Sequence, residues 1–167
     1  MPMLPQQAIP GWSAYVSGGG FVGFNTVSLG GAVLILHDLN SPVHPAIVGN
    51  YSIWVADGLN GTTAAIGQSG IIPVDSQSLR FVATSLAPVV TFADTPIGLT
   101  IVNSTATYNV FAGDITALAG QTGELRFSQT GLFDQVTFST LPVPEPGVIG
   151  LLLVGVTFLG IRIRRRR

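Results

Sequence analysis

Ser78-Leu-Arg-Phe-Val-Ala-Thr84 alternates apolar and polar side chains in the way that a half-buried β-strand does. Leu79, Phe81 and Ala83 fall on one face, because successive side chains of a strand point to opposite sides of its sheet. The polar residues fall on the other face, and only Val82 interrupts the alternation. The stretch therefore predicts a strand that turns one face toward a hydrophobic core.

The same two-residue period recurs along the chain and predicts an all-β fold. In residues 124–128, Leu125 and Phe127 alternate with polar residues, and residues 133–140 follow a similar pattern. Short segments rich in β-branched and aromatic residues, separated by Gly, Asn, Asp and Pro, predict a β-sandwich or jelly roll of roughly ten or eleven strands. The further strands are predicted at residues 12–16, 21–29, 32–37, 51–56, 63–67, 89–93, 98–102 and 107–112.

One segment, Asp114-Ile-Thr-Ala-Leu-Ala-Gly120, departs from the strand pattern. Asp114 is suited to cap a single helical turn, since its side chain can accept a hydrogen bond from the backbone of that turn. Gly120 is suited to end the turn, because glycine tolerates the left-handed conformation found there. The segment therefore predicts one helical turn between two strands.

Residues 114–127, Asp-Ile-Thr-Ala-Leu-Ala-Gly-Gln-Thr-Gly-Glu-Leu-Arg-Phe, and residues 132–138, Leu-Phe-Asp-Gln-Val-Thr-Phe, resemble the closing strands of galactose-binding-like jelly rolls. Those folds place an Asp-Leu-Ser turn and a Gly-Gln pair before a Leu-Arg-Phe strand. They end on a Leu-Asp-x-Val strand, which Phe133 interrupts here. The resemblance implies a jelly-roll fold and says little about a ligand.

The C-terminal segment differs in character from everything before it. Val143-Pro-Glu-Pro146 leads into an apolar run from Gly147 to Ile161, and basic residues then end the chain. The sequence thus predicts a β-sandwich domain at residues 1–140, a Pro-rich linker at 141–146, a transmembrane helix at 147–163 and a cytoplasmic arginine cluster at 164–167. The basic stop consists of Arg162, Arg164, Arg165, Arg166 and Arg167.

Charge is divided between the two parts of the chain. Residues 1–147 hold two arginines and eight acidic residues, a net charge of −6, whereas residues 148–167 hold five arginines and no acid, a net charge of +5. As a helix, the apolar run would be about 22 Å long, short of the ~30 Å hydrocarbon core, and Arg162 could snorkel to the membrane surface. Because basic flanks stay in the cytoplasm, the domain before the helix is expected on the outer side.

The tail resembles a PEP-CTERM sorting signal, which consists of a Pro-Glu-Pro motif, a hydrophobic helix and a terminal Arg cluster. Pro144, Glu145 and Pro146 form the motif here. The resemblance implies export in a Gram-negative bacterium, a single-pass intermediate in the inner membrane, and cleavage near the motif by an exosortase, a membrane protease. Such proteins often accompany exopolysaccharide and biofilm production, which implies the cell surface or extracellular matrix. A plain C-terminal anchor is the alternative.

Composition argues against several function classes. The chain contains no lysine, and residues 1–147 contain only two arginines. Nucleic-acid binding needs a basic surface, so no nucleic-acid partner is expected. Cysteine is absent, which excludes disulfides and thiolate nucleophiles. Residues 1–10 lack the basic and apolar regions of a secretory signal peptide, and we therefore expect the natural start of an exported protein to lie upstream.

No catalytic residue is predicted. His37 and Asp38 are adjacent, so their side chains would point to opposite faces of a strand, and no Gly-x-Ser-x-Gly motif supplies a nucleophile. Zinc binding by His37 and His44 needs a third ligand that the sequence does not show. The acidic residues lie singly near predicted strand ends, where they can serve turns. Their carboxylates leave a structural calcium open, and no other metal or cofactor is expected.

Trp12 and Trp54 are candidates for an aromatic platform that stacks on sugars, with Tyr15 and Tyr51 as further members. Trp54 is flanked by two apolar residues and therefore faces away from them in a strand. The alternative is that these rings fill the core. The sequence thus favours a non-enzymatic surface or matrix protein, with a carbohydrate-binding module and an exopolysaccharide hydrolase as alternatives.

Overall fold

The computed structural model of the protein describes residues 8–16, 22–26, 32–58, 62–84 and 88–144. Twelve strands and one 3₁₀ turn are the regular elements within these ranges, which confirms the predicted all-β fold. The strands are β1 (Ser13–Val16), β2 (Val22–Phe24), β3 (Val33–Asp38), β4 (Tyr51–Ala56), β5 (Ala64–Ile71), β6 (Ser78–Ala83), β7 (Val89–Phe92), β8 (Thr95–Pro96), β9 (Leu99–Ser104), β10 (Asn109–Asp114), β11 (Thr122–Ser128) and β12 (Gly131–Ser139).

The strands form two sheets. The five-stranded sheet has the order β1-β5-β11-β7-β8, and all of its neighbours are antiparallel. The seven-stranded sheet has the order β2-β3-β4-β12-β6-β10-β9 and pairs β2 with β3 in parallel. Three of the four neighbouring pairs in the five-stranded sheet, and three of the six in the seven-stranded sheet, join strands that are not consecutive in sequence, because the chain crosses repeatedly between the sheets. This arrangement is consistent with a β-sandwich.

Aromatic side chains from both sheets meet in the core. Phe127 of β11 is fully buried and stacks on Phe133 of β12, with ring centroids 4.6 Å apart. Phe81 of β6 meets the edge of Phe127 at 5.5 Å and stacks on Phe111 of β10 at 5.6 Å. Offset-stacked and edge-to-face pairs are the arrangements that aromatic rings prefer. These contacts join the two sheets through one hydrophobic layer.

The strand pattern read from the sequence agrees with the structure in most places. Leu79, Phe81 and Ala83 are buried in the core, as their alternation predicts. Val82 is also buried, on the opposite face of the central strand β6. The two-residue strand β8 is not predicted by the sequence pattern, and Pro96 lies within it rather than between strands. An edge strand tolerates proline, since one side of its backbone needs no partner.

The predicted helical turn is present as a 3₁₀ turn over Thr116–Leu118. The backbone N–H of Thr116 donates to Asp114 Oδ1 at 2.9 Å, and the hydroxyl of Thr116 donates to the same oxygen at 2.7 Å. These two donors lower the pKa of the Asp114 carboxyl, because they stabilise its charged form. Gly120 ends the turn with a φ of 78°, a left-handed conformation that favours glycine.

Candidate functional site

An open groove of about 750 Å³ lies over the outer face of the five-stranded sheet. Strands β1, β5, β7 and β11 contribute to its lining, together with the turns beside them. The alternation along each strand sends one set of side chains to the core and the other set to this face. Leu125 and Phe127 of β11 are buried, whereas the alternating residues Glu124, Arg126 and Ser128 are not, as the sequence predicts.

Three side chains from two strands form a connected cluster at the groove. The hydroxyl of Tyr15 on β1 donates to Oε1 of Glu124 on β11. The guanidinium carbon of Arg126 lies 4.0 Å from the centroid of the Tyr15 ring. The Nε atom of Arg126 lies 3.8 Å from Oε2 of Glu124. A guanidinium over an aromatic ring is attractive by about 0.5–1 kcal/mol at exposed sites, so the cluster fixes the orientation of the tyrosine.

The cluster depends on a glycine in β5, the strand that lies between β1 and β11. Gly67 of β5 pairs with Ser13 on β1 and with Arg126 on β11. A Cβ atom at position 67 would lie 2.6 Å from Oε1 of Glu124. The missing side chain therefore leaves the space in which the carboxylate of Glu124 meets the hydroxyl of Tyr15.

The charges of the cluster largely cancel. The hydrogen bond to Glu124 raises the pKa of Tyr15, burial and the charge of Glu124 add to this, and Arg126 opposes it. The tyrosine is therefore neutral at physiological pH, and the single positive charge of Arg126 lies beside the single negative charge of Glu124. Asp57 and Asp94 also line the groove and are exposed. The groove as a whole is mildly acidic.

A second cluster lies on the outer face of the seven-stranded sheet. The imidazole of His44, in the segment between β3 and β4, stacks on Trp54 with centroids 3.9 Å apart and an interplanar angle of 13°. His37 of β3 is 1% exposed, and its Nδ1 lies 2.7 Å from the hydroxyl oxygen of Ser41. Its Nε2 is buried and has no hydrogen-bond partner among the residues that the structure describes. The cluster holds the β3–β4 connection against the sheet.

The structure keeps His37 apart from Asp38, as the strand alternation predicts. Asp38 accepts a hydrogen bond from the side-chain amide of Asn25 at 2.7 Å and another from the backbone N–H of Asn40 at 2.7 Å. These bonds lower the pKa of Asp38. The two neighbours therefore serve different local structures and do not form a catalytic pair.

Acidification is expected to lower the free energy of unfolding through His37. Burial lowers the pKa of His37 below its usual value of 6.5, and the nearby His44 adds to this, while Asp38 opposes it. Because the folded-state pKa is depressed, the stabilising contribution is complete above the unfolded-state pKa. It is lost as the pH falls through the folded-state pKa. Urea unfolding at a series of pH values below neutrality measures the effect.

The control for this pH dependence is His37→Gln, which cannot titrate. Its unfolding free energy should change less between neutral pH and about pH 5 than that of the native chain. In the native chain, unfolding exposes His37, which then takes up a proton. Burial also lowers the pKa of His44, so the variant should retain part of the dependence. An identical pH slope in the native and variant chains would contradict the prediction.

The structure does not bring the two tryptophans together. Trp12 packs partly buried against the core, with its ring centroid 5.9 Å from that of Phe127. Trp54 faces away from the core, as predicted, and lies beneath the ring of His44. The two rings therefore lie on opposite sides of the seven-stranded sheet. Tyr15, by contrast, is 39% exposed at the groove.

The sorting motif lies at the boundary of the described residues. Pro144 is the last of them, whereas Glu145, Pro146, the predicted transmembrane helix and the predicted arginine cluster lie outside them. Among residues 8–144, as far as the structure describes them, no helix has the length and apolar character needed to cross a membrane. In the same ranges, no three His, Asp or Glu side chains gather in a way that could hold a metal ion. The structural calcium stays a prediction.

No protein-family model matches the chain, and no curated protein sequence matches it. Among solved structures, the chain is similar to the enzymatically active domain of tailspike protein 4 from bacteriophage CBA120. The sequences are 16% identical, the TM-score is 0.42, and the match covers 78% of this chain and 19% of the tailspike chain. The chain thus spans about a fifth of the length of that structure.

Proposed function

We propose that this chain is an exported, non-enzymatic protein of the cell surface or extracellular matrix, sorted through a C-terminal PEP-CTERM signal. The observation that carries the proposal is the order of the tail, Pro144-Glu-Pro146 followed by an apolar run and five arginines. Proline fixes its own φ and restricts the residue before it, so we expect the motif to offer a protease an extended backbone. The partners are the inner membrane and an exosortase.

Contacts at the end of the β-domain support this arrangement. The hydroxyl of Ser78 donates to the carbonyl of Leu141 at 2.7 Å, and the guanidinium of Arg80 donates to the carbonyl of Pro142 at 3.0 Å. Arg80 also donates to the Ser78 hydroxyl at 3.0 Å. The chain is therefore held to the central strand β6 just before the motif begins.

Processing is the direct test of sorting. The full chain, produced with an upstream secretory signal, is expected to lose its arginine tail in a host that contains a cognate exosortase. The measured mass of the mature protein should then correspond to a chain that ends near residue 146. Glu145→Gln is expected to block the loss, because the carboxylate is the most distinctive group of the motif. Retention of the intact tail in the presence of the exosortase would favour the plain anchor.

The groove favours a second, compatible function, which is binding of a polysaccharide by the exported domain. Tyr15 presents a partly exposed ring, and hydroxyl and amide side chains of Thr91, Ser128 and Gln129 line the same groove. A ring with polar groups around it suits a sugar, which has apolar C–H faces and a rim of hydroxyls. Retention of the full chain, in mild detergent, on immobilised polysaccharide tests this function.

The hydrolase alternative rests on Asp57 and Asp94, since both line the groove and a glycosidase needs two carboxylates. Oδ1 of Asp57 accepts a hydrogen bond from the backbone N–H of Ala64 at 3.0 Å, which gives this carboxylate a role at the start of β5. Incubation of the chain with a bound polysaccharide separates the two functions. Release of new reducing ends, abolished in an Asp57→Asn chain, would favour the hydrolase.

A further inference from the structure

We propose that the groove over the five-stranded sheet selects uncharged polysaccharides, such as neutral hexose polymers, over polymers of uronic acids. The inference rests on the proposed polysaccharide binding and adds the class of ligand to it. It follows from the distribution of charge in and around the groove, and from the chemistry of the side chains that line it.

The only cation of the described groove residues is already paired. Arg126 lies against the ring of Tyr15 and within 3.8 Å of Glu124 Oε2. Recognition of a uronate carboxylate normally uses an arginine that can form two parallel hydrogen bonds. Arg126 Nε has no hydrogen-bond partner among the described residues, but Glu124 beside it offsets its positive charge and would face the same incoming carboxylate. The cluster therefore provides a platform and not an anion site.

The carboxylates that line the groove act against anionic ligands. Asp57, directly after β4, and Asp94, in the turn between β7 and β8, are both exposed. Two like charges about 4 Å apart repel each other even in water, so a uronate carboxylate that binds beside either aspartate is disfavoured. A neutral polymer meets no such repulsion and can accept or donate hydrogen bonds with the hydroxyl and amide groups of the groove.

The test measures binding of two sets of oligosaccharides of matched length, one of neutral hexoses and one of uronic acids, by calorimetry. The full chain in mild detergent is expected to bind at least one neutral oligosaccharide about tenfold or more tightly than the uronates at low salt. The Asp57→Asn/Asp94→Asn chain should bind uronates more tightly, so that the preference for neutral sugars over uronates shrinks. The amide oxygen introduced by Asp57→Asn can still accept the hydrogen bond from the backbone N–H of Ala64, so the strand start is preserved.

Asp75→Asn is the matched control, because Asp75 is an exposed aspartate in a turn away from the groove. It should leave both affinities unchanged, and circular dichroism checks that each variant is folded. If the double variant does not fold, Asp94→Asn alone carries the test. Uronate binding as tight as neutral binding in the native chain, or an unchanged preference in the variant, would overturn the selectivity. Binding of neither class would overturn the polysaccharide function itself.

Discussion

Replacement of Phe127 by alanine is expected to lower the free energy of unfolding by about 3–5 kcal/mol, the usual loss for a buried phenylalanine. The ring of Phe127 is fully buried and contacts Phe133, Phe81 and Trp12, at centroid distances of 4.6, 5.5 and 5.9 Å. Phe133 and Phe81 belong to the seven-stranded sheet, which packs against the five-stranded sheet of Phe127, and Trp12 lies in the segment before β1. The surrounding rings cannot collapse into the space without moving a whole strand, so a cavity remains.

Urea or guanidinium unfolding followed by circular dichroism measures the loss. The matched control is Phe138→Ala. Phe138 is also a strand phenylalanine, on β12 of the seven-stranded sheet, but its side chain is 39% exposed. Its replacement should cost less than half as much, because less apolar surface leaves the interior. Equal losses at the two positions would mean that Phe127 is not the centre of the interface between the sheets.

The core was predictable from the sequence because burial follows strand alternation. Leu79, Phe81, Leu125 and Phe127 were assigned to the inner face from a two-residue period alone, and all four are buried. The same alternation placed Trp54 away from the core. A local pattern is sufficient here, since the side of a strand on which a side chain lies depends only on its neighbours in sequence.

The groove was not predictable, because it depends on which strands become neighbours. Tyr15 and Glu124 are separated by 109 positions and meet only because β5 lies between β1 and β11. The space for their contact comes from Gly67, which the sequence presents as one of 21 glycines. The signals that were available were the outward positions of Glu124 and Arg126. The local pattern did not indicate that Glu124 and Arg126 contact Tyr15 and not one of the tryptophans.

The difference between the two aromatic sites has a physical origin. Trp54 is directed outward by alternation, yet the connection between β3 and β4 folds back and covers it with His44. Alternation gives the direction of a side chain but not what lies above it. Tyr15 lies on the edge strand β1, where Arg126 covers one face of its ring and the side chain is still 39% exposed at the groove. Exposure of an aromatic ring therefore depends on loop packing, which a single sequence does not reveal.

Replacement of Tyr15 by alanine is expected to weaken binding of a neutral oligosaccharide by about thirtyfold, which corresponds to about 2 kcal/mol for a central tyrosine of a binding site. The ring supplies the aromatic surface of the groove, and its hydrogen bond to Glu124 holds it in place before the ligand arrives. A side chain ordered in advance loses little conformational entropy on binding. Isothermal titration of the full chain in mild detergent, with a neutral oligosaccharide that it binds, measures the change.

Three further variants decide whether the groove or another aromatic site carries the affinity. Tyr51→Ala is the matched control, because Tyr51 is 52% exposed but does not line the groove, and its loss should leave the affinity unchanged. Tyr15→Phe keeps the ring and removes only the hydrogen bond to Glu124, so it should weaken binding by a few-fold. Trp54→Ala should have little effect, since His44 already covers that ring. A large loss in Trp54→Ala with none in Tyr15→Ala would instead support the tryptophan platform, because only removal of the ring that contacts the sugar can abolish stacking.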